Sequence, residues 1–311
     1  MMDLLTSGFL ASLLLGAIVA SVPLLLTGLG EQLSEKTGVL NIGLEGMMLT
    51  GAYLGFYIAW QSHSMALGLL GGAAGGMMVA ILMAGLCVWL GLNQIVIGIA
   101  LTLGAQGATA LLHYLQFSRT YPRLGSVETV ALPLLSRIPF VGRIMFNQPM
   151  VVYLAIGCVA LMAFIYRHTN LGLALYAAGD QPAALDAAGV NVLWTRTLAV
   201  LVTGALAGLG GAYMSQIAAG IFVPYMTQGN GFIGIVLAML ARGKPLWVLG
   251  GALLFGLCLS LTTALQVVGV AVPTDAIQML PFIAVMLVLL MLGRRASLPS
   301  ALGTAYVRGA R

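Results

Sequence analysis

The sequence predicts an all-α, polytopic integral membrane protein with about 8–9 transmembrane helices, one of them broken or re-entrant. Three observations carry this. Hydrophobic residues make up 60% of the 311 residues and charged residues 7%, where a soluble domain carries about 25% charged residues. No Asp, Glu, Lys or Arg occurs in residues 46–118 or 197–241. Runs so much longer than the roughly 20 residues that cross a bilayer must hold several helices joined by tight turns. The runs are continuously apolar rather than alternating, which argues against a β-barrel.

Taken in order, residues 4–29 form a first span and 31–38 a short polar turn. The second span, 39–60, opens on Asn41 and carries Glu45. The third, 65–90, holds overlapping glycine pairs four apart: Gly68 with Gly72, Gly71 with Gly75, Gly72 with Gly76. That pattern lets helices approach closely in lipid. The fourth, 95–115, is entered through Asn93 and Gln94. A loop of mixed polarity with three prolines follows at 119–146, and 149–166 is the fifth span. The sixth, 197–217, has Gly204 and Gly208 four apart. A broken segment at 220–231 contains Pro224, and 232–241 is too short to span comfortably, so it is a half-helix or a steep crossing. A turn at 242–245 leads into the last two spans, 246–267 and 276–292. The whole reads as one transmembrane domain, 1–311.

Residues 167–196 are the longest polar interruption. Asp180 can cap a helix there, with Pro182 in its first turn and Gly189 as the stop. A helix of about two turns, roughly 12 Å long, is expected. Its body, Ala183-Ala-Leu-Asp-Ala-Ala188, is small and apolar for a piece outside the bilayer. It is either a docking element or a capped linker between spans.

The thirteen Lys and Arg sit at span ends and in loops, where they orient a membrane protein; the net charge of +5 does not point to nucleic acid. With the tail inside and 232–241 counted as a crossing, Lys36, Arg167, Arg196, Arg242, Lys244, Arg294, Arg295, Arg308 and Arg311 fall inside, nine in all. The other four, Arg119, Arg123, Arg137 and Arg143, fall outside. The preferred topology therefore has the N-terminus outside and 167–196 in the cytoplasm. No basic residue precedes Lys36, so the first apolar run lacks the charged start of a signal peptide and reads as retained. Cys87, Cys158 and Cys258 lie in apolar segments and read as small hydrophobes, with no disulfide or metal spacing. No cofactor and no metal are expected.

No catalytic constellation is visible. His63, His113 and His168 are far apart, and there is no Gly-x-Ser-x-Gly elbow and no P-loop. An ATP-driven process would need its ATPase from a partner. Glu45 is the one carboxylate inside an apolar span. It either faces a hydrated cavity or lies near the interface, about 10 Å along the helix from Gly38. Asn41 would lie one turn before it on the same face. Asn93 and Gln94 read either as path-lining amides or as an interfacial cap. The Gly229-Asn-Gly231-Phe232 turn is either irregular backbone at membrane depth, tolerated only against protein or a water-filled cavity, or an ordinary external loop.

Three segments resemble a known family: Gly38-Val-Leu-Asn41-Ile-Gly-Leu-Glu45-Gly-Met-Met48, the stretch from Gly172 to Val190, and Thr227-Gln-Gly229-Asn-Gly231-Phe232-Ile followed by Arg242-Gly-Lys-Pro245. Asn93-Gln-Ile-Val-Ile-Gly98 fits as well. The family is that of permease subunits of bacterial ABC importers for simple sugars, nucleosides and branched-chain amino acids, with wording closest to the nucleoside-type subgroup. The resemblance implies a multi-pass protein of the bacterial inner membrane that works by alternating access and is not itself an enzyme. Its implied partners are an ABC ATPase, a second and different permease, and an extracytoplasmic substrate-binding protein. It implies a substrate path touching Asn41, Glu45, Met48, Asn93, Gln94, Asn230 and Phe232. It implies ATPase coupling through Gly172, Gly179, Asp180, Pro182, Asp186 and Gly189, with Arg242 as a second contact. The family commonly has Arg where this chain has Tyr176, a basic residue at Asn230 and Gly at Ala241. The competing classes are an ion-coupled secondary transporter, for which only Glu45 offers an intramembrane ionisable group, and an intramembrane enzyme.

Overall fold

The computed structural model describes residues 7–125, 127, 129–131, 136, 141–267, 279, 283, 286, 290 and 298–306. Most of the span expected at 276–292 lies outside the described residues, as do Arg137, Arg294, Arg295, Arg308 and Arg311.

Six of the described helices are long and apolar enough to cross a membrane. They belong to α1 (Ser7–Lys36), α3 (Met65–Met83), α4 (Gln94–Phe117), α6 (Met150–His168), α9 (Val192–Tyr213) and α11 (Pro245–Val267). α3 and α9 each end in a π-helical turn, Ala84–Trp89 and Met214–Ala218. α2 (Leu44–Ser62) sits among them. From the expected loop at 119–146, Val130–Ala131 pairs antiparallel with Asn147–Gln148, next to the short α5 (Val141–Met145).

Glycine sets the spacing at the centre. A Cβ on Gly76 would overlap the Gly204 carbonyl oxygen, and one on Gly208 would overlap that of Gly72. The two glycine series expected to allow close approach therefore meet each other, α3 against α9. α2 joins them where Gly51 abuts the Gly208 backbone.

Two expectations are corrected. The turn expected at 31–38 is helix as far as Lys36, and Glu31, Gln32, Ser34, Glu35 and Lys36 are buried. These polar side chains face protein rather than water. Ser34 shares a 2.8 Å hydroxyl contact with Thr203 on α9, and the Asn41 N–H donates to Glu31 Oε1 at 3.0 Å. Second, α2 starts at Leu44, not at 39. Residues 37–43 run back along the end of α1 without helical structure, so Asn41 is not one helical turn below Glu45.

α10 (Asn230–Ala241) is the half-helix expected at 232–241. Gly234 backs onto Thr27 and Gly28, and Gly243 onto Lys36. α10 thus lies beside the second half of α1 and begins midway along it. Irregular backbone at 219–229 leads into it, with left-handed φ at Tyr225, Gln228 and Gly229 of 64°, 44° and 86°. At the opposite end of the bundle, Tyr53, Phe56, Phe117 and Phe222 form one aromatic cluster between α2, α4 and this segment. At the Lys36 end lie α7 (Asn170–Asp180) and α8 (Pro182–Ala187).

Candidate functional site

The N-termini of α2 and α10 meet at Glu45. Its Oε1 accepts from the Thr227 hydroxyl at 2.5 Å and the Gly229 N–H at 2.9 Å, and its Oε2 accepts from the Gly231 N–H at 2.7 Å. The side chain is 2% exposed. The first N–H groups of a helix have no intrahelical acceptor and carry the positive end of its dipole. Glu45 supplies both the acceptor and the charge for α10. Gly231 is required by this contact, since a Cβ there would stand 2.5 Å from the Glu45 Cα. The intramembrane carboxylate is therefore held by a neighbouring helix end, and the irregular backbone before α10 is paid for by protein contact rather than water.

The other path candidates separate. Asn41 is fully buried, its amide nitrogen 3.3 Å from Met47 Sδ. Met48 is fully buried, with Sδ 3.8 Å from the Thr27 hydroxyl. Gln94 reaches back to the 37–43 segment, its Oε1 accepting from the Leu40 N–H at 2.8 Å. Asn93 is exposed and caps α4, its Oδ1 accepting from the Ile95 and Val96 N–H groups at 3.0 and 3.2 Å. Asn230 opens α10 with its amide nitrogen 3.7 Å from Met214 Sδ, and Phe232 is exposed on α10. Two groups near this region escaped the sequence reading. Thr227 is the hydroxyl partner of Glu45. Gln216, in the π-turn of α9, is fully buried with neither amide atom partnered among the described residues. It packs against Gly55 and Gly68. The sequence signalled only that Glu45 needs donors; nothing local pairs it with Thr227, 182 residues away.

The residues expected to couple to an ATPase do gather, at the Lys36 end. Asp180 does not cap α8. It is the last residue of α7, and Gln181 takes the cap position without a side-chain bond among the described residues. Pro182 opens α8, Asp186 lies within it, and Gly189 follows it with φ +85°, the conformation a helix stop requires. Gly172 and Gly179 allow contact: a Cβ would overlap the Ile165 carbonyl oxygen at the first and the Lys36 carbonyl oxygen at the second. The Lys36 ammonium lies 3.4 Å from the Tyr176 ring centroid and 4.0 Å from that of Tyr166. The Tyr176 ring thus draws a lysine from α1 by cation–π attraction. Arg242, with φ 49° at the end of α10, lines a cavity of about 160 Å³ with Lys36, Tyr176 and Asp180.

Two helix N-termini thus meet inside the bundle, and a glycine-fitted helix pair lies at its Lys36 end. Comparison with known proteins supplies the class. Residues 13–291 match the family described as branched-chain amino acid transport system / permease component, and the chain belongs to it. It is 38% identical over 275 residues to a putative glucose ABC transporter permease protein of Haloferax volcanii, covering 86% of this chain and 82% of that one. It is 32% identical over 313 residues to a guanosine ABC transporter permease protein of Bacillus subtilis, covering 94% and 96%. It is 33% identical over 303 residues to a nucleoside ABC transporter permease protein of Lactococcus lactis, covering 94% and 95%.

Proposed function

We propose that this chain forms the translocation path of an ATP-driven importer for a nucleoside or simple sugar, and that α7–α8 receives the ATPase in the cytoplasm. The observation that carries the reading is family membership over residues 13–291 together with relatives named for guanosine, nucleosides and glucose. The chain does no chemistry of its own. It works with an ABC ATPase, a second and different permease, and an extracytoplasmic binding protein, in the inner membrane of a bacterium. The N-terminus is outside. Nine crossings result when α2, the α10 segment and 276–292 are added to the six long apolar helices, an odd number that puts the two termini on opposite faces.

One structural feature supports it. A neutral solute needs hydrogen-bond partners rather than a counter-charge, and Glu45, the intramembrane carboxylate, is already held by three donors. Those bonds also weigh against an ion-coupled carrier built on Glu45. The test is uptake of labelled guanosine and glucose by cells carrying the whole complex. Uptake of one of them should stop when ATP is depleted with the ion gradient kept. Uptake that persists overturns the ATP-driven reading.

A further inference from the structure

The C-terminal end of α7 is closed mostly by segments distant in sequence. The last four carbonyls of a helix lack intrahelical donors. Here the Ala177 carbonyl accepts from the Gln181 N–H at 2.9 Å, the ordinary next residue. The other three are met from elsewhere. Ala178 accepts from Arg196 Nη2 on α9 at 3.1 Å. Gly179 accepts from the Ala301 N–H at 2.9 Å, and Asp180 from the Ser300 hydroxyl at 2.5 Å.

Residues 298–306 therefore form a strap across the Lys36 end. Arg196 Nη1 donates to the Thr304 carbonyl at 2.8 Å, and the Gly303 N–H donates to the Gly38 carbonyl at 3.0 Å. Tyr306 packs on the apolar cluster of Ala178, Leu185 and Val192, which belong to α7, α8 and α9. Arg196 is 2% exposed. An arginine that served only to orient the chain in the membrane would keep its charge in water. This one holds two carbonyls in one planar fork, at the negative end of the α7 dipole.

We propose that Arg196 and the 298–306 strap are positioning elements that lock α7–α8 to α1 and α9, so that ATPase movement at α8 reaches the membrane helices. The proposal rests on reading α7–α8 as the ATPase docking element, and the experiment separates the two. In the full complex, Cys87, Cys158 and Cys258 are replaced by Ala and a single cysteine is placed at Ala184, exposed on α8. A thiol-to-amine reagent then reports ATPase proximity per permease molecule, and uptake is measured beside it. The parent chain should crosslink. Arg196→Gln and a stop after Ser297 should each lower crosslink yield and uptake by about tenfold, within the span typical of coupling between sites. Arg196→Lys, which keeps the charge but not the fork, should restore part of both. If the truncated chain fails to accumulate, Tyr306→Ala decides by the same two readouts. Parent-level crosslinking and uptake in Arg196→Gln and in the strap variant overturn the proposal. A parent chain that never crosslinks overturns the docking reading, and the proposal falls with it.

Discussion

The N-terminus of α10 and the C-terminus of α7 are both closed by residues distant in sequence, each with the charge its helix dipole favours. α10 is closed by one carboxylate, Glu45, which takes all three donors inside the bundle. α7 is closed at the Lys36 end by a guanidinium, a backbone N–H and a hydroxyl from two segments. The first closure is concentrated in one side chain and the second is shared. Concentration makes a rigid junction that fails all at once. Sharing means that any one substitution removes only part of the junction.

The comparison breaks most readily at Glu45. Glu45→Leu leaves the Thr227 hydroxyl and the Gly229 and Gly231 N–H groups without their acceptor, two of these three bonds fully buried. Each buried donor left without its partner costs about 1–3 kcal/mol. Uptake should be abolished, and the purified chain should melt well below the parent. Glu45→Gln keeps an acceptor for two donors but sets an NH₂ against the third, so part of the uptake should remain. Parent-level uptake by the Leu variant at equal membrane abundance would dissolve the contrast between the two ends.

A smaller effect compares the glycines at the same two ends. Gly231→Ala places a Cβ 2.5 Å from the Glu45 Cα, between two helix starts that are each packed on other helices. Gly179→Ala drives a Cβ into the Lys36 carbonyl, but α7 lies at the edge of the bundle, with Leu171, Leu173 and Tyr176 exposed. Overpacking of this kind costs about 1–3 kcal/mol. The Gly231 variant should lose more thermal stability, and the Gly179 variant should lose uptake at nearly unchanged stability. The reverse order would mean that α7 is as firmly seated as α10.

Much of this was legible in the chain. The glycine series of α3 and α9 announced close packing, and Gly189 announced the helix stop, because both follow from backbone sterics alone. Glu45 was singled out because a carboxylate in an uncharged span must find donors. Its partners were not, since Thr227 lies 182 residues away and nothing local pairs them. The run Glu31 to Lys36 reads as a polar turn because composition cannot tell water from a buried polar interface. Arg196 was counted as a topology charge, and the strap was hidden for the same reason: its bonds are mostly to backbone, which any sequence could offer.

The finest test lies in two neighbours, Asn93 and Gln94, which repeat the contrast between local and distant closure. Asn93 is exposed and accepts from the Ile95 and Val96 N–H groups of its own helix. Gln94 is buried and accepts from the Leu40 N–H, 54 residues earlier. Gln94→Ala strands a part-buried donor in the 37–43 segment and should cost about 1–2 kcal/mol. Asn93→Ala exposes its donors to water, which takes the place of the side chain, so the loss should stay near or below about 1 kcal/mol. Melting of the purified complex should show the Gln94 variant less stable than the Asn93 variant. Uptake should fall only for Gln94, because that residue, unlike Asn93, ties α4 to the segment leading to Glu45. An uptake defect in Asn93→Ala with stability intact would instead return Asn93 to the solute path.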